Sequence, residues 1–203
     1  MSQMNVEIVF PVSIALFDLD AAVVAITREK VLQYLETEQG RRDIGVSPLE
    51  SLETSYFSER SVLEDGKLLE LKRAVLQSGE QFMRWFGLSS YPLDIEKAWI
   101  NVFRPGMQES EHAHEGSVLS GVYYVEAPDN CGDLVFQDPI GARRAHRAFT
   151  ATNAQTKQAA QQMNYAPRAG RLLFFESWLP HAVSGNKSGQ RRISIAINLR
   201  RKT

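Results

Sequence analysis

The C-terminal half of the chain contains a series of short, β-rich segments separated by turn signals. These segments are Ala98–Arg104, Leu119–Glu126, Asp133–Gln137, Arg171–Phe175 and Arg192–Leu199. Val, Ile, Tyr and Phe favour strands, whereas the Gly, Pro, Asn and Asp residues between the segments favour turns. Several short strands at this spacing are typical of a sandwich or barrel, so the sequence predicts an all-β core.

The N-terminal half is predicted to be helical after an initial strand. The strand spans Val6–Leu16, and apolar residues then recur at helical spacing over Ala22–Gln39 and over Gly66–Phe86. We expect Asp20 to cap the first helix and Gly40 to end it.

These segments predict one mainly β domain of the α+β class over residues 1–203. Residues 1–96 would form the strand and the supporting helices, and residues 97–200 the β core. Residues 141–166 interrupt the β pattern, since they are basic at first and then rich in Ala, Gln, Asn and Thr. Their length favours an insert or lid over the core.

Composition and charge exclude several classes of function. A net charge of −1 over 203 residues gives no electrostatic basis for binding nucleic acid or an acidic membrane. The single cysteine, Cys131, excludes a disulfide framework and a cysteine-based zinc cluster. No apolar stretch reaches the roughly 18 residues of a membrane helix, and the N-terminus lacks the basic start of a signal peptide. We therefore expect a cytoplasmic protein without a nucleic-acid or membrane partner.

Three of the four histidines are spaced as metal ligands would be. His112 and His114 are two residues apart, and positions i and i+2 of a strand point to the same side. His181 follows an apolar stretch that would carry its polar ring into a cavity. A single HxH pair occurs often by chance, but the third histidine favours a metal site. The fourth, His146, lies in an arginine-rich segment and is expected at the surface.

The last predicted strand has two chemically different faces. Arg192, Ser194, Ala196 and Asn198 alternate with Ile193, Ile195, Ile197 and Leu199. We expect the isoleucine face to pack against the N-terminal helices and the other face to line a polar cavity. A guanidinium beside a hydroxyl suits a carboxylate, because bidentate charged hydrogen bonds fix its orientation. Arg192 and Ser194 are therefore candidate ligands for an anion, whereas Arg191 is expected to pair with an acid on the opposite side.

Six motifs in the second half of the chain have to be considered together. They are HAH (His112–His114), LSGVYYV (Leu119–Val125), GDLVF (Gly132–Phe136), PRAGRLLFF (Pro167–Phe175), SWLPHAV (Ser177–Val183) and RISIAIN (Arg192–Asn198). In combination they resemble the 2-oxoglutarate/Fe(II)-dependent oxygenases, and in particular a group of short members with HxH, SGVYYV and SWLxHxV motifs. The resemblance covers about residues 97–200. It implies a double-stranded β-helix, or jelly roll, with N-terminal helices packed on one sheet.

The resemblance also implies a chemistry and a set of site residues. The enzyme would oxidise a small molecule or a protein side chain, typically by hydroxylation, with O2, Fe(II) and 2-oxoglutarate as co-substrate, and would release succinate and CO2. Arg192 and Ser194 would hold the distal carboxylate of 2-oxoglutarate. Tyr123 matches a position that also touches this carboxylate in prolyl-hydroxylase-like members. Asn101, a polar residue in an apolar strand, would bind the co-substrate or substrate, or else satisfy a neighbouring backbone group.

One position departs from the usual metal triad of the family. His114 occupies the place of the customary Asp or Glu, and the HxH spelling of the related group favours ligation by His112, His114 and His181. Two alternatives stay open: His114 orients a ligand without binding metal, or a carboxylate from Glu111, Glu115 or Asp138 joins the site. Glu111 and Glu115 adjoin the histidines, but neighbouring residues of a strand point to opposite faces.

Two other functions compete with the oxygenase. Gly106, His112 and His114 reproduce the opening of the first cupin motif, although the glutamate expected next is missing. His181 also lies too far beyond its preceding turn for the second cupin motif. A non-catalytic metal- or ligand-binding jelly roll would keep the fold but would have no use for the carboxylate clamp of Arg192.

Overall fold

Two antiparallel sheets and three helices form the part of the chain that the computed structural model describes, residues 11–48, 52–64, 66–88, 91–140 and 160–202. In chain order the elements are β1 (Ile14–Asp18), α1 (Ala21–Glu36), α2 (Glu38–Asp43), β2 (Gly45–Val46), β3 (Glu53–Thr54), α3 (Leu69–Trp85), β4 (Leu93–Phe103), β5 (Glu109–His112), β6 (Leu119–Glu126), β7 (Leu134–Gln137), β8 (Gln162–Tyr165), β9 (Arg171–Glu176), β10 (His181–Val183) and β11 (Arg192–Arg201). The larger sheet has the order β1–β9–β6–β11–β4–β3–β2, and the smaller one β5–β10–β7–β8. This is the mainly β, jelly-roll architecture that the sequence predicts.

Helices α1 and α3 cover the outer face of the larger sheet. Leu71, Val75 and Phe82 of α3 and Val31 of α1 share one core with the isoleucines of β11. Fully burying an aliphatic or aromatic side chain contributes about 1.5–3 kcal/mol, so this layer holds β11 firmly against the helices. The prediction that the isoleucine face packs on the helices is confirmed. None of the described helices has the length and apolar character needed to cross a membrane.

The predicted first helix is in fact two helices. Asp20 caps α1 as expected, with its carboxylate accepting a hydrogen bond from Ala22 N (2.8 Å). However, α1 ends at Glu36, and the Thr37 hydroxyl accepts a hydrogen bond from Gly40 N (2.9 Å) to start α2. Gly40 lies inside α2, where only glycine fits, because a Cβ at this position would stand 2.0 Å from the Tyr34 carbonyl oxygen. The glycine thus permits a close backbone approach and does not end the first helix.

Three further boundaries differ from the sequence-based predictions. The first strand spans Ile14–Asp18, and the predicted portion at residues 6–10 lies outside the described residues. At the C-terminal end of the predicted insert at 141–166, residues 162–165 form β8 and pair with β7. Residues 141–159, with His146, lie outside the described part of the chain. Strand β4 begins at Leu93, since its first residues pair with the extended end of β11.

The inner faces of the two sheets enclose both an apolar cluster and a polar cavity. Phe103, Leu173 and Phe175 of the larger sheet pack against Leu134 and Phe136 of the smaller sheet. This dry contact fixes the spacing of the sheets, and the cavity beside it receives side chains from both.

Candidate metal centre

Three histidines meet between the two sheets. His112 is the last residue of β5 and His181 the first of β10, and they stand opposite each other in the antiparallel register. Their ring centroids are 4.4 Å apart, and the ring of His114 lies 5.0 Å from His112 and 5.2 Å from His181. One candidate ligand atom from each ring lies within 4.8 Å of the others. The structure therefore brings together all three predicted metal ligands.

His114 follows the end of β5 and is held by its surroundings. Its backbone N–H donates a hydrogen bond to the carbonyl of Ser177 (3.0 Å), in the loop between β9 and β10. The ring of Trp99 packs edge-on against the imidazole with a centroid distance of 5.8 Å. These contacts place the imidazole beside the other two although it lies beyond the regular strand.

Hydrogen bonds and burial favour the protonation state that binds a metal. Nδ1 of His112 lies 2.8 Å from the carbonyl oxygen of Ser110, and Nδ1 of His181 lies 3.0 Å from that of Leu179. Because a carbonyl can only accept, Nδ1–H is the donor in both rings, which leaves Nε2 as the atom available to a metal. Burial, reinforced by the neighbouring His112, lowers the pKa of His181 to about 3 and that of His114 to about 4. Neutral imidazole is the form that binds a metal ion.

The carboxylates considered from the sequence do not join this cluster. It contains neither Glu111, Glu115 nor Asp138. The side chains of Glu111 and Glu115 are exposed, as the alternation of a strand predicts. Asp138 lies beyond β7, where its carboxylate accepts a hydrogen bond from Ile140 N (3.0 Å).

A different acid, Glu109, lines the same cavity, and sequence reasoning missed it. Its Oε1 is 3.9 Å from Nε2 of His112. Plain alternation puts residues three apart on opposite faces, but β5 carries an irregularity: Val183 stands opposite Glu109 and His181 opposite His112. The extra residue in β5 turns Glu109 to the side of the histidine.

Arg192 is a buried cation that no carboxylate of the described residues approaches to ion-pair distance. It is 2% exposed, donates one hydrogen bond from Nη1 to the carbonyl of Gly132 (3.1 Å) and lies 4.0 Å from the ring centroid of Phe103. Within the described residues no carboxylate forms an ion pair with it, and its Nε has no partner. Burial lowers the pKa of Arg192. The hydroxyl of Ser194 is likewise buried and unpartnered, so two adjacent groups suited to a carboxylate are unsatisfied.

One cavity, with about 460 Å³ of space including its open mouth, connects the histidines to these groups. Its lining includes the three histidines and Glu109, together with Arg192, Ser194, Ala196 and Asn198 of β11. The prediction that this face of β11 lines a polar cavity is confirmed. Arg191 points away and pairs with Glu126 at 3.5 Å, also as predicted.

The assignment of Tyr123 to the co-substrate site is corrected by the structure. Tyr123 stands opposite Ile195 of β11 and is buried in the core beneath the helices, beside Thr27 of α1. Its neighbour Tyr124 stands opposite Ser194 and lines the cavity, with the guanidinium carbon of Arg192 5.8 Å from its ring centroid. Burial raises the pKa of Tyr124 to about 12, so its hydroxyl is a proton donor at neutral pH.

Asn101 lines the cavity between Ser194 on β11 and Thr54 on β3. The hydroxyl of Thr54 donates a hydrogen bond to Oδ1 of Asn101 (2.6 Å). Because this bond engages the amide oxygen, the amide nitrogen is left to donate towards a ligand. A second polar group, which sequence reasoning did not find, consists of Ser120, Ser177 and Asn198. The Ser120 hydroxyl lies 2.9 Å from Ser177 Oγ and 3.0 Å from Asn198 Oδ1.

Residues 97–198 match the model of a protein family described as "Putative 2OG-Fe(II) oxygenase". The chain belongs to this family. It is therefore an oxidoreductase of the class that uses Fe(II) and 2-oxoglutarate, as the resemblance predicted. Family membership decides against the cupin and against the non-catalytic jelly roll.

Solved structures confirm the fold of the oxygenase. A prolyl-4-hydroxylase from Pseudomonas putida is 15% identical over 94% of each chain, with a TM-score of 0.62. The epimerase SnoN from nogalamycin biosynthesis is 14% identical over 95% of this chain and 77% of its own, with a TM-score of 0.67. A prolyl hydroxylase from Trichoplax adhaerens is 14% identical over 93% of this chain and 83% of its own, with a TM-score of 0.60. No curated protein matches the oxygenase in sequence.

Proposed function

We propose that this oxygenase holds Fe(II) with His112, His114 and His181, holds 2-oxoglutarate with Arg192 and Ser194, and hydroxylates a substrate bound at the mouth of the cavity. One observation supports the proposal above all. Three imidazoles that could hold a metal ion share a cavity with a buried guanidinium for which the described residues provide no carboxylate at ion-pair distance. A metal and a dicarboxylate would satisfy both groups at once.

The donor set fits Fe(II). Imidazole suits divalent iron, and the Nδ1–H bonds of His112 and His181 aim their Nε2 lone pairs at a common ligand. When bound, Fe(II) supplies the redox chemistry that couples decarboxylation of 2-oxoglutarate to oxidation of a substrate C–H bond. Three neutral imidazoles leave the charge of the ion uncompensated. Glu109, at 3.9 Å from Nε2 of His112, offsets part of that charge from just outside the ligand set.

The co-substrate would lie along β11 and β6. The Nε of Arg192 and the Ser194 hydroxyl are the unsatisfied donors on the cavity side of β11, and we assign to the Tyr124 hydroxyl the supporting role first ascribed to Tyr123. Phe103 stacks on the guanidinium and holds its plane in one orientation. The amide nitrogen of Asn101, aimed by Thr54, provides a further donor for 2-oxoglutarate or substrate.

Aromatic side chains exclude water from the inner end of the site. The ring of Phe175 lies 4.6 Å from that of His181, and Phe136 lies 6.2 Å from it. Low local polarity strengthens the charged contacts of Arg192 and disfavours protonation of the imidazoles. We also propose that the oxygenase works in the cytoplasm, where a protein whose single cysteine, Cys131, is free needs no disulfide.

Anaerobic titration of the Fe(II)-loaded chain with 2-oxoglutarate tests the proposal. We expect a visible metal-to-ligand charge-transfer band with one co-substrate per chain. His181→Ala should abolish the band with loss of metal, whereas His146→Ala, which changes the one histidine that is not a predicted ligand, should keep both. A wild-type chain with bound iron and no band would overturn the proposal.

A further inference from the structure

A ladder of aromatic rings leads from the metal centre to the surface. The ring of Trp99 lies 5.8 Å from that of His114, the ring of Tyr56 lies 5.0 Å from Trp99, and the ring of Phe57 lies 5.3 Å from Tyr56. Trp99 is 5% exposed and lines the cavity, whereas Tyr56 and Phe57 are 42% and 57% exposed. We call Trp99, Tyr56 and Phe57 the aromatic ladder.

The ladder is held rigidly against the active-site strand β4. Ser55 N donates to the carbonyl of Ile100 (2.9 Å), and Ile100 N donates to the Ser55 hydroxyl (2.9 Å). Tyr56 N donates to the hydroxyl of Thr54 (3.0 Å), which itself donates to Asn101 in the cavity. The backbone that carries Tyr56 is therefore fixed relative to the proposed co-substrate site, and a ligand would lose little affinity in ordering it.

Charge and ring geometry at the ladder favour a π-rich ligand. The ammonium of Lys97, on the same face of β4 as Trp99, lies 4.4 Å from the ring centroid of Tyr56. The Trp99–Tyr56 and Tyr56–Phe57 pairs meet at 73° and 89°, so ring faces and ring edges are presented alternately. A flat aromatic molecule can stack on a face and meet an edge at the same time, which a puckered saturated ring does less well.

The exposed area matches a small molecule better than a protein partner. Aromatic side chains have about 150–250 Å² of surface, so Tyr56 and Phe57 together leave roughly 200 Å² exposed. Trp178, 50% exposed and next to the Ser177 carbonyl that holds His114, adds about 100 Å². A stable protein interface covers about 800 Å² per partner. Exposed apolar surface that continues into a cavity is typical of a ligand site.

We infer that the aromatic ladder is the substrate-binding wall of this oxygenase, and that it receives a small molecule with a flat, unsaturated ring system. The inference rests on the proposed function, because it names the substrate class of the same site. Stacking on Tyr56 and Phe57 would place the far end of such a molecule beside Trp99 and His114, at the metal centre.

Fluorine NMR on the full-length chain labelled with 5-fluorotryptophan tests this inference, with 1-naphthol as the probe. The chain has three tryptophans, Trp85, Trp99 and Trp178. We expect 1-naphthol to shift the Trp99 resonance in a saturable way and to leave Trp85, 75% exposed on α3, unchanged. The saturated analogue 1-decalol should bind at least about 3-fold more weakly.

Two variants and a matched control locate the probe. Tyr56→Leu and Phe57→Leu should each weaken 1-naphthol binding about 3- to 10-fold, because each removes one ring contact but keeps apolar volume. Trp85→Leu removes a still more exposed aromatic at the end of α3 and should change nothing. The comparison of 1-naphthol with 1-decalol on the wild-type chain needs no variant, so a misfolded variant leaves the test intact.

Several outcomes would overturn the inference. They are equal binding of both probes, no shift of the Trp99 resonance, and a Trp99 shift produced by N-acetylproline amide but not by 1-naphthol. A Trp99 shift that depends on protein concentration alone would assign the ladder to a second copy of the chain. Formation of the charge-transfer band without 1-naphthol binding would overturn this inference and leave the proposed function standing. Binding of 1-naphthol without the band would overturn the proposed function and leave the aromatic ladder only as a binding site for flat ring systems.

Discussion

Arg192→Met separates a role of the buried guanidinium in binding from a role in folding. In the ligand-free chain Arg192 donates one hydrogen bond to Gly132 O (3.1 Å) and stacks on Phe103 at 4.0 Å, and its Nε has no partner. Methionine is unbranched and adaptable, so the substitution removes the charge and keeps most of the packing.

The substitution should change the stability of the ligand-free chain only slightly. Removing an unpaired buried charge recovers a desolvation cost of several kcal/mol. Against this gain, the carbonyl of Gly132 loses a donor, at about 1–3 kcal/mol, and Phe103 loses a cation–π contact of about 0.5–2 kcal/mol. The opposing effects are of similar size, so the free energy of unfolding should change by less than about 2 kcal/mol. A guanidinium held in a buried ion pair would instead cost about 3–5 kcal/mol to remove.

Binding of 2-oxoglutarate should respond very differently. Hydrogen bonds to charged groups contribute about 1.5–3 kcal/mol each, and Arg192 would form two with the distal carboxylate. We therefore expect Arg192→Met to weaken 2-oxoglutarate binding by at least about 100-fold. At a concentration 100 times its dissociation constant, 2-oxoglutarate stabilises the wild-type chain by about 2.7 kcal/mol and should stabilise the variant by less than about 0.5 kcal/mol.

Urea unfolding under anaerobic conditions, with Fe(II) and with or without 2-oxoglutarate, measures both effects. Arg191→Met is the matched control, because Arg191 is the next residue, its side chain is 41% exposed, and it pairs with Glu126 at the surface. It should change each quantity by less than about 1 kcal/mol. A loss of more than about 3 kcal/mol in the ligand-free Arg192→Met chain, with unchanged 2-oxoglutarate affinity, would refute the reasoning.

Three other predictions concern the same cavity. His114→Ala should weaken Fe(II) binding by more than about 100-fold, because roughly 10- to 100-fold is typical of a residue outside the ligand set, whereas His114→Asp should keep the metal. Calorimetric titration with Fe(II) measures both affinities. An unchanged affinity in His114→Ala would show that His114 is not a ligand. Tyr124→Phe should lower the affinity for 2-oxoglutarate, whereas Tyr123→Phe should not. If the anaerobic titration instead finds the loss of affinity in Tyr123→Phe alone, Tyr123 would be the residue that contacts the co-substrate. The folded-state pKa values of His181 (about 3) and His114 (about 4) lie below the ordinary 6.5, so the unfolded chain takes up protons first as the pH falls. The free energy of unfolding of the ligand-free chain should then decrease as the pH falls from about 6.5 towards 4, by up to about 1.4 kcal/mol per pH unit for each histidine. Urea unfolding measures this decrease, and a constant free energy of unfolding between pH 7.5 and 5 would contradict the prediction.

Features that depend on one strand alone were predictable from the sequence. The alternation of β11 assigns Arg192 and Ser194 to one face and the isoleucines to the other, because the side-chain period of a strand is two. Which face is inward follows from hydrophobicity, and the structure agrees. The histidines at 112 and 181 were predictable for a similar reason, since each lies at the end of a short strand with a recognisable motif.

Features that depend on register between strands were not predictable. The neighbours Tyr123 and Tyr124 are equally aromatic, and only the register of β6 with β11, which puts Tyr124 opposite Ser194 and Tyr123 opposite Ile195, decides which of them faces the cavity. The irregularity in β5 likewise brings Glu109 to the metal centre against simple alternation. An extra residue in one strand is a property of the pair of strands, and it leaves no periodic trace in either sequence.

The sequence by itself determined the family, the jelly-roll fold, the three-histidine cluster and the inward face of β11, because each follows from local periodicity or from a combination of motifs that resembles a known family. Only the tertiary structure decided which tyrosine faces the cavity, which acid adjoins the histidines, and that Tyr56 and Phe57 extend the active site through Trp99. These last contacts join segments more than 40 residues apart. Their energies come from packing between distant segments, so they become visible only when the chain is folded.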